Sequence, residues 1–227
     1  MIGFDADDTL WVNEPYYREA EQQFVDLLRA YGVKGDIAGA LFNTEIANLE
    51  LYGYGIKAFM LSLVECAIEL TDGAVNAQTV SRIIRIGKTM LEHPIELLDD
   101  VKYVLEKLAP HYRLIVATKG DLLDQERKMR KSSISGYFHH IEIMSDKKLQ
   151  HYKQLLDHLE ITPEQFLMVG NSLKSDILPP LELGAWVIYI PFHTTWAHEE
   201  VEEEPESDRY FQIRYLREVL KVMGLEG

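Results

Sequence analysis

At 227 residues, with 47% hydrophobic and 26% charged side chains, the chain holds enough apolar surface for one core domain plus a sizeable insertion, which excludes disorder as its main state. A single cysteine, Cys66, excludes an intramolecular disulfide framework and fits a reducing cytoplasm, the expected location. A formal net charge of −14 with no basic stripe argues against a nucleic-acid partner, and no apolar window reaches the roughly 18 residues that a membrane span needs.

In chain order, residues 2–4 are the first of five short apolar runs that read as buried strands. About a hundred residues between this run and the second carry no comparable strand signal. Segments 15–31, 37–51, 56–70 and 77–91 instead place apolar residues at helical spacing, with breaks at Gly32, Gly35, Gly53, Gly55 and Gly73. This predicts a compact four-helix insert over residues 13–92, within a core formed by residues 1–12 and 93–227. Cys66 lies in an apolar stretch of the third helix and is expected to be a buried thiol. After His93-Pro94 a helix is predicted over 95–108, followed by strands over 114–117, 141–144, 166–169 and 186–190. Helices over 122–131, 148–159 and 176–183 separate these strands, the pattern of a Rossmann-like parallel sheet wrapped by helices. The run from Glu199 to Asp208 holds seven acids and reads as a solvated loop, and apolar residues at helical spacing over 212–223 predict a last helix covering the sheet.

In an open parallel sheet, ligands bind beyond the carboxyl ends of the strands. The residues there form a coherent set: Asp5, Asp7, Asp8 and Thr9 after the first strand, Thr118 and Lys119 after the second, Asp146, Lys147 and Lys148 after the third, and Asn171 and Asp176 after the fourth. Such a set suits Mg²⁺ between hard oxygen ligands, with lysine and backbone amides meeting a phosphate.

The stretch Phe4-Asp5-Ala6-Asp7-Asp8-Thr9-Leu10 follows an apolar strand, and Thr118, Lys147 and Gly170 with Asp176 follow in order. In these motifs the sequence resembles the haloacid dehalogenase-like hydrolases. The resemblance implies a Mg²⁺-dependent phosphatase of a small phosphorylated metabolite, with Asp5 as nucleophile and Asp7 as general acid and base. Thr118, Lys119 and Lys147 are then assigned to phosphate, with Lys148 the neighbouring alternative to Lys147. Asp5, the Asp7 carbonyl, and Asn171 or Asp176 are assigned to the metal. The chain departs from the commonest phosphatase pattern at Asn171, where an amide replaces a carboxylate. Dehalogenation of a 2-haloacid and phosphoryl-group mutation are the alternative chemistries, and a non-catalytic binding protein is the alternative of a different class. Dehalogenases of this family lack an acid at the Asp7 position, because halide leaves without a proton. The insert stands where the family places helical caps, and Tyr52, Gly53 and Tyr54 are its expected specificity loop.

Overall fold

The computed structural model describes residues 1–201 and 203–226. Six parallel strands form one sheet: β1 (Ile2–Phe4), β2 (Leu114–Lys119), β3 (Phe138–Met144), β4 (Leu167–Gly170), β5 (Trp186–Tyr189) and β6 (Tyr210–Gln212), in the spatial order β3-β2-β1-β4-β5-β6. The order reverses beside β1, which pairs with both β2 and β4 and so stands at the topological switch point of the sheet. Alternate residues of β2 feed two apolar layers. Leu114 and Val116 join Phe4, Val104, Leu105, Leu108 and Val169 on one face, whereas Ile115 and Ala117 join Tyr152, Leu155, Phe166 and Met168 on the other. This double burial explains why the strands read as unbroken apolar runs.

The flanking helices are α5 (Val101–Leu108), α6 (Leu122–Lys131), α7 (Leu149–His158), α8 (Leu178–Glu182) and the short α9 (Val219–Val222). Three sequence expectations need correction here. Residues 95–100 are not helical: Leu98 N–H donates to the Leu10 carbonyl, Leu97 bridges to Trp11, and Asp100 adopts a left-handed conformation that starts α5 late. Only the end of the expected last helix is α-helical, because Tyr210–Gln212 adds the edge strand β6 and Phe211 stacks on Trp186 at 6.2 Å. Ile213, Leu216 and Leu220 are all buried, so apolar spacing alone did not separate an edge strand and a 3₁₀ turn from a helix. The stretch expected to be a helix from 176 begins instead as a π-helical turn, Leu173–Ile177, before α8.

By backbone contacts the chain divides into two compact units. One comprises Met1–Glu14, Ile95–Lys119 and the chain from Gln125 onward; the other comprises Pro15–Pro94 and Gly120–Asp124. The second unit contains most of α1 (Glu14–Tyr31) with α2 (Ile37–Tyr52), α3 (Ile56–Leu70) and α4 (Ala77–Glu92), packed around Phe24, Leu28, Leu41, Phe59, Leu63 and Ile83. Cys66 lies in that core, and burial pushes its thiol up to about 11, as suits an inert packing residue. The segment Gly120–Asp124 was not expected in the helical unit. Asp121 pairs with Lys57 at 2.8 Å, and Gly55 packs so closely that a Cβ there would stand 3.1 Å from the Asp121 amide nitrogen. Among the described residues no helix is long and apolar enough to cross a membrane.

Candidate active site

The first strand ends where Asp5 N–H donates to the Val169 carbonyl at 2.9 Å, and the chain then turns away from the sheet. Leu10 N–H reaches back to the Ala6 carbonyl at 2.8 Å and Asp8 N–H to the Trp11 carbonyl at 2.7 Å, with Asp8 in the left-handed region at φ 61°. This tight loop keeps Asp5, Asp7 and Thr9 at the strand end. Asp8 serves the loop itself: its carboxyl accepts from Asn13 N–H at 2.8 Å and Glu14 N–H at 2.9 Å. Burial raises the Asp8 carboxyl to about 8, although those two backbone donors pull the other way.

Asp5 is 6% exposed and faces the ammonium of Lys147, which bonds Asp5 Oδ1 and also Asp176 Oδ1, the latter at 2.6 Å. Burial pushes the Asp5 carboxyl up to about 7, against the opposing pull of Lys147. Burial also works against the Lys147 charge, yet Asp176 and Asp5 outweigh it and hold the ammonium above the ordinary lysine range. Lys148, by contrast, is mostly exposed and pairs with Asp146 at 2.9 Å, so of the two candidate lysines the structure brings Lys147 to Asp5.

The loop after β4 is shaped by close packing. A Cβ on Gly170 would lie 2.4 Å from the Cβ, Cγ and Oδ2 of Asp176, so only glycine lets the π-helical turn fold back onto the strand end. Asp176 Oδ2 accepts from Ser172 N–H at 2.9 Å, leaving both carboxylate oxygens engaged, one by Lys147 and one by the backbone. Asn171 stands elsewhere. One arm of its carboxamide lies 3.1 Å from the Asp7 carbonyl oxygen, 3.3 Å from Asp5 Oδ2 and 3.1 Å from Thr9 Oγ. With nitrogen in that arm, Asn171 donates to all three; with oxygen there, it accepts from the Thr9 hydroxyl and faces the Asp5 and Asp7 oxygens. Three converging hard oxygens fit a divalent cation such as Mg²⁺. Among the described residues no three His, Cys, Asp or Glu side chains are placed to hold a metal; the oxygens that converge here are one carboxylate, one backbone carbonyl and one carboxamide arm.

Asp7 is held by three donors: Trp11 Nε1 at 2.6 Å and Lys128 Nζ at 2.9 Å on Oδ1, and Gln125 Nε2 at 3.0 Å on Oδ2. The same Gln125 nitrogen bonds Thr118 Oγ at 2.8 Å, which ties the loop after β1 to the end of β2. Lys119 meets a different partner. Its ammonium bonds Glu199 and, at 2.9 Å, Ser175 Oγ, while Glu199 Oε2 accepts from Ser172 and Ser175 hydroxyls, each at 2.5 Å. Burial opposes the Glu199 charge, but Lys119 and the two serines hold its carboxyl at about 2. The run expected to be wholly solvated thus begins with a buried acid; within that run, Glu202 lies outside the described residues. In the helical unit, Tyr52 ends α2 and donates to Glu65 at 2.5 Å, Gly53 closes the helix at φ 69°, and Tyr54 follows it.

Sequence reasoning missed Gln125, Lys128, Ser172, Ser175 and Glu199. Gln125 and Lys128 share one face of α6 at a three-residue spacing, a signal visible in sequence only once the helix is known to start beside Thr118.

A parallel sheet with its switch point beside β1 and its polar side chains gathered at the carboxyl rim defines a Rossmann-like α/β enzyme core. The chain belongs to the haloacid dehalogenase-like hydrolase family, whose description matches residues 1–184. A haloacid dehalogenase-like family hydrolase from Xanthomonas campestris is 38% identical, with a TM-score of 0.88 over 99% of this chain and 90% of that one. A glyceraldehyde 3-phosphate phosphatase from Pyrococcus furiosus is 22% identical over 100% of this chain and 94% of its own. The fold is shared with a 2-haloacid dehalogenase from Pseudomonas syringae, at 19% identity and a TM-score of 0.66 over 98% of this chain and 97% of that one.

Proposed function

We propose that the protein is a Mg²⁺-dependent phosphatase that hydrolyses a small phosphorylated metabolite through an aspartyl-phosphate. The observation that carries this reading is a second carboxylate: Asp7 shares a loop with the buried Asp5 and is linked through Gln125 to Thr118. Halide displacement needs no such acid, whereas an alkoxide leaving group does. The name of the archaeal relative supports a phosphoester substrate and puts triose phosphates first in a substrate screen.

Asp5 attacks phosphorus, the bond from phosphorus to the ester oxygen breaks, and Asp7 supplies the proton that the departing oxygen takes up. Water then attacks the aspartyl-phosphate, Asp7 takes its proton, and inorganic phosphate and free Asp5 result. Lys147 offsets negative charge on Asp5 and on the transferring group, and Asp176 fixes that lysine. Thr118 is assigned to a phosphoryl oxygen, while Lys119 is assigned to Glu199 in place of the phosphate. Asp5, the Asp7 carbonyl and Asn171 would hold Mg²⁺, with Asp176 beside them; the ion supplies charge neutralisation between carboxylate and phosphate. The helical insert is assigned the part of a cap, with Tyr52, Gly53 and Tyr54 as its specificity loop.

The test is turnover of p-nitrophenyl phosphate with Mg²⁺, abolished by EDTA and by Asp5→Asn in a folded protein. Metal-independent halide release from a 2-haloacid, with no phosphatase activity, would overturn the reading.

A further inference from the structure

The three donors on Asp7 come from two places. Trp11 is on the same loop, 1% exposed, and its carbonyl accepts from Asp8 N–H, so its indole is a rigid jaw. Gln125 and Lys128 come from one face of α6 and form the opposite jaw. Lys128 is fixed from both sides, bonding Asp7 Oδ1 and, at 2.8 Å, Asn13 Oδ1, and its side chain is 12% exposed. The Gln125 amide is oriented for the site at its own expense. Its nitrogen serves Asp7, Thr118 and the Lys119 carbonyl, whereas its oxygen is buried with no hydrogen-bond partner among the described residues. An unsatisfied buried oxygen is destabilising.

We infer that Gln125 and Lys128 are positioning residues: together they fix the direction of the Asp7 carboxyl, so that it meets the ester oxygen as the bond to phosphorus breaks. The inference rests on the phosphatase reading. A carboxylate with one jaw removed is free to swing, and a displacement of about 1 Å in a proton donor costs on the order of 10²-fold in rate. The loss falls on substrates whose leaving oxygen needs the proton. A nitrophenolate leaves without one, so its release depends far less on where Asp7 points.

The experiment is a double-mutant cycle over parent, Lys128→Met, Asp7→Asn and the combined variant, each assayed with Mg²⁺ on glycerol 3-phosphate and on p-nitrophenyl phosphate. Lys128→Met is expected to lower kcat on the alkyl ester about 10²-fold, with KM nearly unchanged and a much smaller loss on the aryl ester. On the Asp7→Asn background the same change is expected to cost nothing further, and Lys128→Arg should restore part of the rate by returning a cation to Asp7. Equal losses on both esters, or an additive loss on the Asp7→Asn background, would overturn the inference while leaving the phosphatase reading intact. A parent that hydrolyses neither ester overturns the phosphatase reading and this inference with it. If Lys128→Met does not fold, Gln125→Leu carries the same cycle with the same expected and contrary results.

Discussion

Asn171 and Asp176 lie five positions apart on one loop yet meet different partners. One Asn171 arm faces Asp5 and the Asp7 carbonyl, whereas both Asp176 oxygens are occupied by Lys147 and by Ser172 N–H. Restoring a carboxylate at 171 is therefore expected to lower the half-saturating Mg²⁺ concentration, by about tenfold if one full charge joins the ion. It need not raise kcat, since a second anion beside Asp5 also repels the phosphate. Asp176→Asn is expected to lower kcat through a displaced Lys147 and to move Mg²⁺ half-saturation less. Mg²⁺ titrations of activity in both variants check this; a larger shift for Asp176→Asn would exchange the two assignments. The sequence singled out Asp5 and Asn171 because each directly follows an apolar strand, where a parallel sheet presents its ligands, and Lys147 and Asp176 only through their order and spacing behind later strands. Gln125 and Glu199 were not singled out. The first lies on a helix whose facing direction is set by packing, and the second opens an acidic run that by composition belongs in water.

Two glycines in the central sheet separate packing from chemistry. Gly3 in β1 lies under Phe166, whose ring would stand 2.6 Å from an added Cβ, while Gly170 ends β4 against the side chain of Asp176. Either alanine forces its neighbour to shift, at about 1–3 kcal/mol of stability. Gly3→Ala displaces Phe166 and crowds the Met168 sulfur, both core side chains, and is expected to lower Tm with kcat kept. Gly170→Ala pushes on the residue that holds Lys147, so Tm and kcat should fall together, as thermal melts and turnover measured on the same preparations will show. The central strands were readable because burial on both faces leaves short unbroken apolar runs, as in Ile2–Phe4 and Leu167–Gly170. The edge strand β6 was not, because a three-residue strand with one bonded neighbour carries too little pattern to compete with helical spacing in the buried residues beyond it.

At the scale of the whole molecule, buried acids pull the pH dependence of stability in opposite directions, Glu199 one way and Asp8, together with Asp5, the other. Glu199 has its carboxyl held at about 2, below its ordinary 4.5, so between those values the unfolded chain binds the proton more tightly. Its contribution is complete above about pH 4.5 and is lost as pH falls toward 2; a depression of this size corresponds to on the order of 3 kcal/mol. Asp8 is the reverse case, with its carboxyl raised by burial from 3.8 to about 8. The folded protein keeps that proton while the unfolded chain releases it, so this contribution is complete below about pH 3.8 and is lost as pH rises through 8. The net charge of −14 adds self-repulsion on the same alkaline side. Stability is therefore expected to peak on the acid side of neutrality, between the two limbs. Urea titrations from pH 3 to 9 read both limbs at once. Glu199→Gln should lower stability at neutral pH and flatten the acid limb, while Asp8→Asn should flatten the fall between about pH 4 and 8, since a neutral amide replaces an acid that must otherwise ionise in place. A parent whose stability rises steadily from pH 4 to 8, or an Asp8→Asn protein with an unchanged slope there, would show that the Asp8 carboxyl is already ionised in the fold and that the backbone donors of Asn13 and Glu14 outweigh its burial.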